Sequence, residues 1–324
     1  MHYSFIINST AGNNRSQKKW EELKHYLDSH NIDYHDVFTR YSGHATELAR
    51  DIANTSTDNE EVIVAVGGDG TIDEVVNGVM SIDHHNAKTN STPIAVIPTG
   101  LTNGFAVAYG IRKNPIQAFQ QIESANKTTM ISVGQYHESI KDESGFFVNS
   151  LGIGFDAALI SKRNSKKRSS SKMGLLTFLI SAGGVLYNQQ PFSLMLQEKH
   201  HHQLFPNTYI ATCLNHHVRG NKQAMHDNLF SSNIQLLVVE HHNWLITLWT
   251  LWLLATGRIA KSRWANYYEA DKFQYTTTSL EFVQKDGIEL GNRFVDVSIS
   301  SAQCQIWQNS SFNHPKCQFK LEKC

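Results

Sequence analysis

Long hydrophobic runs are nearly absent from this chain. The most apolar stretch, Trp244–Ala255, has twelve residues, short of the ~20 that cross a bilayer as a helix. It reads as a helix buried against the second half of the chain, with an interfacial lipid-contacting helix as the second reading. Cysteine is also scarce. Cys213, Cys304, Cys317 and Cys324 form no CxxC pair, which excludes a zinc ribbon or disulfide framework and predicts reduced thiols. Excess charge is lacking, because 29 basic residues balance 29 acidic ones, so bulk electrostatics does not argue for a nucleic-acid partner. The opening Met1-His2-Tyr3-Ser4-Phe5 has no basic segment followed by an apolar one, so no signal peptide is expected. No repeat of 20–50 residues is visible. Histidine is plentiful, but His200-His201-His202 has no acid or cysteine at ligand spacing. A solvated hairpin loop is favoured there over a metal site.

The 324 residues correspond to about two domains. Residues 62–66, Val-Ile-Val-Ala-Val, read as a buried strand of a parallel sheet. Gly67 and Gly68 follow, allowing a tight turn with exposed N–H groups. Thr71 and Glu74 then stand at capping-box spacing, with Thr71 as N-cap of a helix that carries Val75, Val76 and Val79 inward and ends near Gly78. A strand, a glycine turn and a helix N-terminus make an anion site, best suited to a nucleotide phosphate. Asp69 within the turn would repel phosphate unless a cation intervenes, which points to Mg2+.

Gly67-Gly68-Asp69-Gly70-Thr71, continued by Glu74-Val75 and Asn77-Gly78, resembles the diacylglycerol kinase catalytic domain, shared by bacterial soluble lipid kinases and by sphingosine and ceramide kinases. The resemblance extends over roughly residues 3–306. It implies a Rossmann-like α/β nucleotide-binding domain over 1–130, an antiparallel β-sandwich lipid-substrate domain over 131–307 and a tail over 308–324. The change from alternating strands and helices to short alternating strands near residue 130 agrees with that division. The expected strands of the second domain are 130–133, 146–150, 192–197, 208–213, 234–239, 273–277, 279–283 and 295–300.

Several positions acquire roles through the resemblance. Asn8 and Gly12 match the loop after the first strand, near the nucleotide. Thr39 ends the second strand at a carboxyl edge, where α/β sheets bind ligands, and is either a nucleotide contact or a simple cap for the helix after Gly43-His44-Ala45. Gly67, Gly68, Asp69, Gly70, Thr71 and Glu74 belong to the central turn. Thr102 and Asn103 lie in the loop after the fourth strand, where Leu101 and Gly104 replace the family's threonine and aspartate. Asp227, with Ala224 and Leu229 as carbonyl donors, stands at the family's structural Mg2+ loop, with Asn228 in place of glycine. Glu289 is the candidate catalytic base beside Asp69. It comes one residue after Ile288, which occupies the family's glutamate position, so strand alternation turns it to the opposite face unless a one-residue bulge restores it. Asn149 to Ala157 resembles a family segment leading into a helix.

The implied activity is ATP-dependent phosphorylation of the hydroxyl of diacylglycerol or a related membrane lipid, with ATP and Mg2+ as cofactors. The four substitutions at motif positions favour a different class of function, a relative that binds nucleotide or lipid without efficient transfer. A basic, serine-rich segment (Lys162, Arg163, Lys166, Lys167, Arg168, Lys172) is either a solvated loop or a contact for anionic headgroups. The expected location is the cytoplasm, at the inner face of the membrane, with a homodimer as a further expectation.

Overall fold

The computed structural model describes residues 1–56, 61–81, 92–101, 103–154, 190–198, 201–215, 233–255, 259 and 262–309. The chain divides into two compact units, Met1–Ser132 with Gln303–Cys324 and Val133–Ala302. The first boundary lies two residues beyond the expected 130. The second unit ends earlier than expected, because the chain returns to the first unit from residue 303, within the span predicted for the second domain.

The first unit alternates strand and helix: β1 (His2–Ile7), α1 (Ala11–Ser29), β2 (Tyr34–Phe38), α2 (His44–Thr55), β3 (Glu61–Gly67), α3 (Asp69–Met80), β4 (Ile94–Pro98), α4 (Gly104–Ala108) and α5 (Pro115–Glu123). Its strands pair in parallel in the order β2-β1-β3-β4. Parallel strands covered on both faces need unbroken apolar runs, and Val62 to Val66 are fully buried. Trp20, Leu23 and Leu27 of α1 are buried as their helical spacing predicts. Trp20 packs on Phe5, with centroids 5.0 Å apart.

In that strand order the chain runs outward from β1 to β2, then crosses back to β3 on the other side of β1. The reversal opens a crevice beyond the carboxyl ends of β1 and β3, where sheets of this kind bind ligands.

The second unit is strand-rich: β5 (Thr129–Glu138), which begins in the first unit, β6 (Glu143–Phe147), β7 (Ser150–Gly154), β8 (Phe192–Glu198), β9 (His201–Leu214), β10 (Ile234–Glu240), β11 (Ala265–Ala270), β12 (Lys272–Thr277), β13 (Glu281–Lys285), β14 (Ile288–Arg293) and β15 (Asp296–Ile306). One helix, α6 (Trp244–Ala255), follows β10. Antiparallel ladders join β13 to β14 and β7, β9 to β7, β8 and β10, and β12 to β8 and β15. A core of Phe147, Phe192, Phe205, Phe273 and Tyr275 with aliphatic neighbours fills this unit. The expected strand over 146–150 falls across the end of β6, the bend at Val148 and Asn149 and the start of β7; the other seven each have one counterpart, and β11 and β14 were not expected. His201 and His202 pair with Glu198 and Gln197 at the start of β9 instead of standing in a loop, and both are exposed.

The described side chains of the α6 helix differ in burial. Thr247, Thr250 and Leu253 face inward, while Leu245 and Trp249 are exposed. Both threonine hydroxyls donate to carbonyls of the preceding turn, Thr247 to Asn243 and Thr250 to Ile246, which lets polar side chains sit in the buried face.

Candidate functional site

At the carboxyl end of β3 the backbone turns within two residues. Gly68 is the N-cap of α3, three residues before the expected Thr71, and the helix starts at Asp69. The Gly68 carbonyl accepts the N–H groups of Thr71 and Ile72, so Thr71 already lies within the first turn. Its hydroxyl folds back over Gly67, where a Cβ would stand 2.3 Å from Thr71 Oγ1. Only glycine fits under that side chain.

The same hydroxyl accepts a hydrogen bond from Asn8 Nδ2 at 3.1 Å. Asn8 begins the loop after β1, and its Oδ1 accepts from the Thr10 backbone and hydroxyl. One side chain therefore ties the β1 and β3 loops together across the crevice. The loop after β4 joins them. The N–H groups of Thr99 and Gly100 reach the Gly67 carbonyl, Ser16 Oγ lies 2.8 Å from Thr99 Oγ1, and a Cβ on Gly68 would stand 3.2 Å from the Gly100 Cα. At the base of α1, Gly12, Asn13 and Asn14 are left-handed. A Cβ on Gly12 would come 2.3 Å from the Thr99 carbonyl oxygen, so glycine is the residue that position accepts.

Both carboxylates of the motif hold neighbouring helices. Asp69 Oδ2 and Oδ1 accept the Gly104 and Phe105 N–H groups at 2.9 Å, capping α4. Glu74 Oε1 and Oε2 accept Gly43 N–H at 2.8 Å and Ala45 N–H at 3.2 Å, capping α2. The expected capping box between Thr71 and Glu74 is therefore not formed. Tertiary contact gives Glu74 a better use, because the start of α2 has no side-chain cap of its own. Beside these loops, Asn103 is left-handed and buried. Its Nδ2 donates to the Gly100 carbonyl, while its Oδ1 has no hydrogen-bond partner among the described residues. Lys19 Nζ donates to the carbonyls of Pro98 and Lys113. Burial lowers its pKa, with Glu22 opposing and Arg15 and Lys113 assisting.

In the second unit the β13–β14 hairpin turns through Asp286 and Gly287, both at positive φ. Asp286 Oδ2 accepts the Val148 N–H and its Oδ1 those of Asn149 and Ser150, at 2.6 to 2.8 Å. Glu289 is exposed and pairs with Gln284, while Ile288 pairs with Lys285. The bulge in this hairpin falls at Leu290, after Glu289. It therefore leaves Glu289 on the face opposite Ile288.

Residues 2–136 match the model of the diacylglycerol kinase catalytic domain. This part of the chain is similar to that family's catalytic domain. The chain is similar to the Bacillus subtilis (strain 168) protein named "Putative lipid kinase YtlR", at 27% identity over 90% of this chain and 94% of that one. It is similar to the "Diacylglycerol kinase" of the same organism at 28% identity, over 59% of this chain and 58% of that one. A crystal structure of a diacylglycerol kinase from Bacillus anthracis str. Sterne shares the fold, with a TM-score of 0.63, 15% identity and coverage of 95% and 97%.

Within the catalytic domain the structure brings together Asn8, Gly67, Gly68, Asp69, Gly70, Thr71 and Asn103. Thr39 continues the β2 ladder, its N–H donating to the Ile7 carbonyl. Glu74 faces α2. Glu289 lies in the other unit. Thr102, Ala224, Asp227, Asn228, Leu229, the segment from Lys162 to Lys172 and the helix expected after Gly154 lie outside the described residues. Sequence reading missed Asp286, Ser16, Lys19 and the capping duty of Asp69. The Asp-Gly pair at 286–287 carried a hairpin signal. The others depend on contacts between distant segments.

Proposed function

We propose that this chain is an ATP-dependent lipid kinase that transfers the γ-phosphoryl group to the hydroxyl of diacylglycerol or a related membrane lipid. The observation that carries the reading is the glycine turn at the β1/β3 reversal, tied by Asn8 to the β1 loop, within a domain similar to the catalytic domain of a kinase family. The first turn of α3 offers N–H groups and the positive end of its dipole to the phosphates. Gly67, Gly68 and Gly100 let Thr71 and the turns after β3 and β4 pack closely there, and Asn103 Oδ1, without a hydrogen-bond partner among the described residues, offers an acceptor to a nucleotide donor group.

Magnesium, when bound with the nucleotide, neutralises charge on the transferring phosphoryl group. Asp69, whose carboxylate accepts the Gly104 and Phe105 N–H groups, is the acid of this turn and would face the waters of a hydrated cation. Glu289, although strand alternation turns it to the face opposite Ile288, is the carboxylate next in sequence to the family's base position and is the residue we assign to accept the proton of the lipid hydroxyl. The lipid oxygen then bonds to the γ-phosphorus, the bond to the β-phosphate oxygen breaks, and ADP leaves. The basic composition of the segment holding Lys162, Arg163, Lys166, Lys167, Arg168 and Lys172 suits anionic headgroups and would assist access to the substrate, at about 1 kcal/mol per basic residue.

The test is turnover of Glu289→Gln on diacylglycerol, sphingosine and ceramide in mixed micelles. Loss of general-base catalysis should lower kcat by about 10²–10⁴ with ATP binding unchanged. Unchanged turnover would remove Glu289 from the mechanism, and the preferred lipid in the wild type would name the substrate. Charge reversal at Lys166, Lys167 and Arg168 should abolish cosedimentation with anionic vesicles. Undiminished cosedimentation would remove that surface from the account of substrate access.

A further inference from the structure

The loop after β2 holds an aromatic ring in the open. Tyr41 is 55% exposed, and a single exposed ring needs no explanation by itself. This ring, however, is immobilised. It stacks on His44 with centroids 4.6 Å apart and planes 24° from parallel. Its hydroxyl donates to Glu47 Oε2 at 2.6 Å. His44 Nδ1 lies 3.1 Å from the Arg40 backbone nitrogen, and the flanking Gly43 and Ala45 N–H groups are clamped by Glu74. The ring thus has its orientation fixed from α2 and its loop fixed from α3.

Its place in the sheet matters as much. The loop follows the carboxyl end of β2, two strands from the glycine turn after β3, or about 10 Å at the usual strand spacing. A nucleotide with its phosphates on the α3 N-terminus that extends along the carboxyl edge of the sheet across β1 would bring its base to the loop after β2. Thr39, whose N–H extends the β2 ladder, stands two residues before the ring.

We infer that Tyr41, backed by His44, is the stacking platform for the base of the nucleoside triphosphate, an assignment that rests on the kinase reading above. One face of the phenol lies on the imidazole, which leaves the other for a base. Stacking on an aromatic ring accepts any base with a π-face, so Tyr41 supplies affinity and orientation, while the glycine turn supplies phosphate recognition.

The test is displacement of a fluorescent ATP analogue from the full chain by ATP and by inorganic tripolyphosphate. In the wild type ATP should bind more tightly than tripolyphosphate. Tyr41→Ala should weaken ATP about tenfold, the scale of one aromatic–base contact, and leave tripolyphosphate unchanged, while Tyr41→Trp should retain ATP. Unchanged ATP binding in Tyr41→Ala would overturn the inference. Equal weakening of both competitors would also overturn it, by making Tyr41 a structural support. A wild type that binds tripolyphosphate as tightly as ATP would overturn the platform and leave the phosphate site standing. A wild type that binds neither would overturn the kinase reading and the platform with it.

Discussion

Two carboxylates in the first turns of α3 each hold the start of another helix. Asp69 accepts two N–H groups from α4, and Glu74 accepts two from the α2 end. Removing such a cap costs about 0.5–2 kcal/mol, so Glu74→Ala should lower the urea midpoint of the first unit by that amount. A larger effect on ATP affinity than on the midpoint would instead place Glu74 at the ligand. Gly78 completes the same arrangement. A Cβ there would stand 2.4 Å from the Thr46 carbonyl oxygen and 2.7 Å from the Ala49 Cβ, so Gly78→Ala should cost about 1–3 kcal/mol by overpacking α2 against α3, read by the same denaturation. The Glu-Val-x-Asn-Gly continuation of the motif is thus largely a device for joining two helices. In the second unit, burial raises the pKa of Glu281, with the Ser279 hydroxyl opposing. A carboxyl with a raised folded pKa binds protons more strongly folded than unfolded, so its contribution falls as pH rises from the ordinary glutamate range through the raised value. Glu281→Gln should flatten stability against pH over that window, and an unchanged profile would contradict the assignment.

At the scale of elements, the strand–turn–helix over residues 62–78 was legible because it is local. An apolar run, paired glycines and helix-spaced valines lie side by side in sequence. The true start of α3 was not, since Thr71 turns its hydroxyl to Asn8, sixty-three residues away, instead of capping its own helix. The β13–β14 hairpin shows the same division. Asp-Gly marked the turn, but β14 was hidden because its alternation is broken by the bulge at Leu290 and by Gly291 at positive φ. Asp286 fastens this hairpin to Val148, Asn149 and Ser150 with three charge-assisted bonds. The α6 helix was legible as a helix, yet its apolar composition gave no sign that, among its described side chains, Thr247 and Thr250 would be buried while Leu245 and Trp249 stand exposed. Gly134 opposes Phe147 across the β5–β6 ladder, and a Cβ there would stand 2.0 Å from the ring. Gly134→Val should therefore destabilise the second unit by a few kcal/mol in the manner of an overpacked core, seen as a lowered thermal midpoint with the wild-type α6 and β15 retained.

At the scale of the molecule, the chain closes the first unit with its own far end. Ile306 pairs in parallel with Ile94, and the Trp307 N–H reaches the Ile94 carbonyl. Gln308 then stands in for a further strand: its amide brackets Val96 N–H and C=O at 3.0 Å and reaches the Ala118 carbonyl. Leaving those buried groups unpaired costs about 1–3 kcal/mol, so Gln308→Ala should weaken the first unit on that scale, and a chain cut at residue 302 should lose cooperative unfolding of that unit. The expected tail boundary missed this because a lone buried glutamine has no periodicity to announce it. Cys213 and Cys304 are buried, the latter thiol pushed up to about 12 by desolvation. Both should resist alkylation in the native protein and react in urea. Among the described residues no helix is long and apolar enough to cross a membrane. The most direct measurement is transfer of radiolabelled γ-phosphate from ATP to diacylglycerol in mixed micelles with Mg2+, beside an Asp69→Ala control. Labelled phosphatidic acid that disappears in the control is the predicted result. No transfer to any lipid alcohol by a folded, ATP-binding chain would contradict the assignment of a lipid kinase.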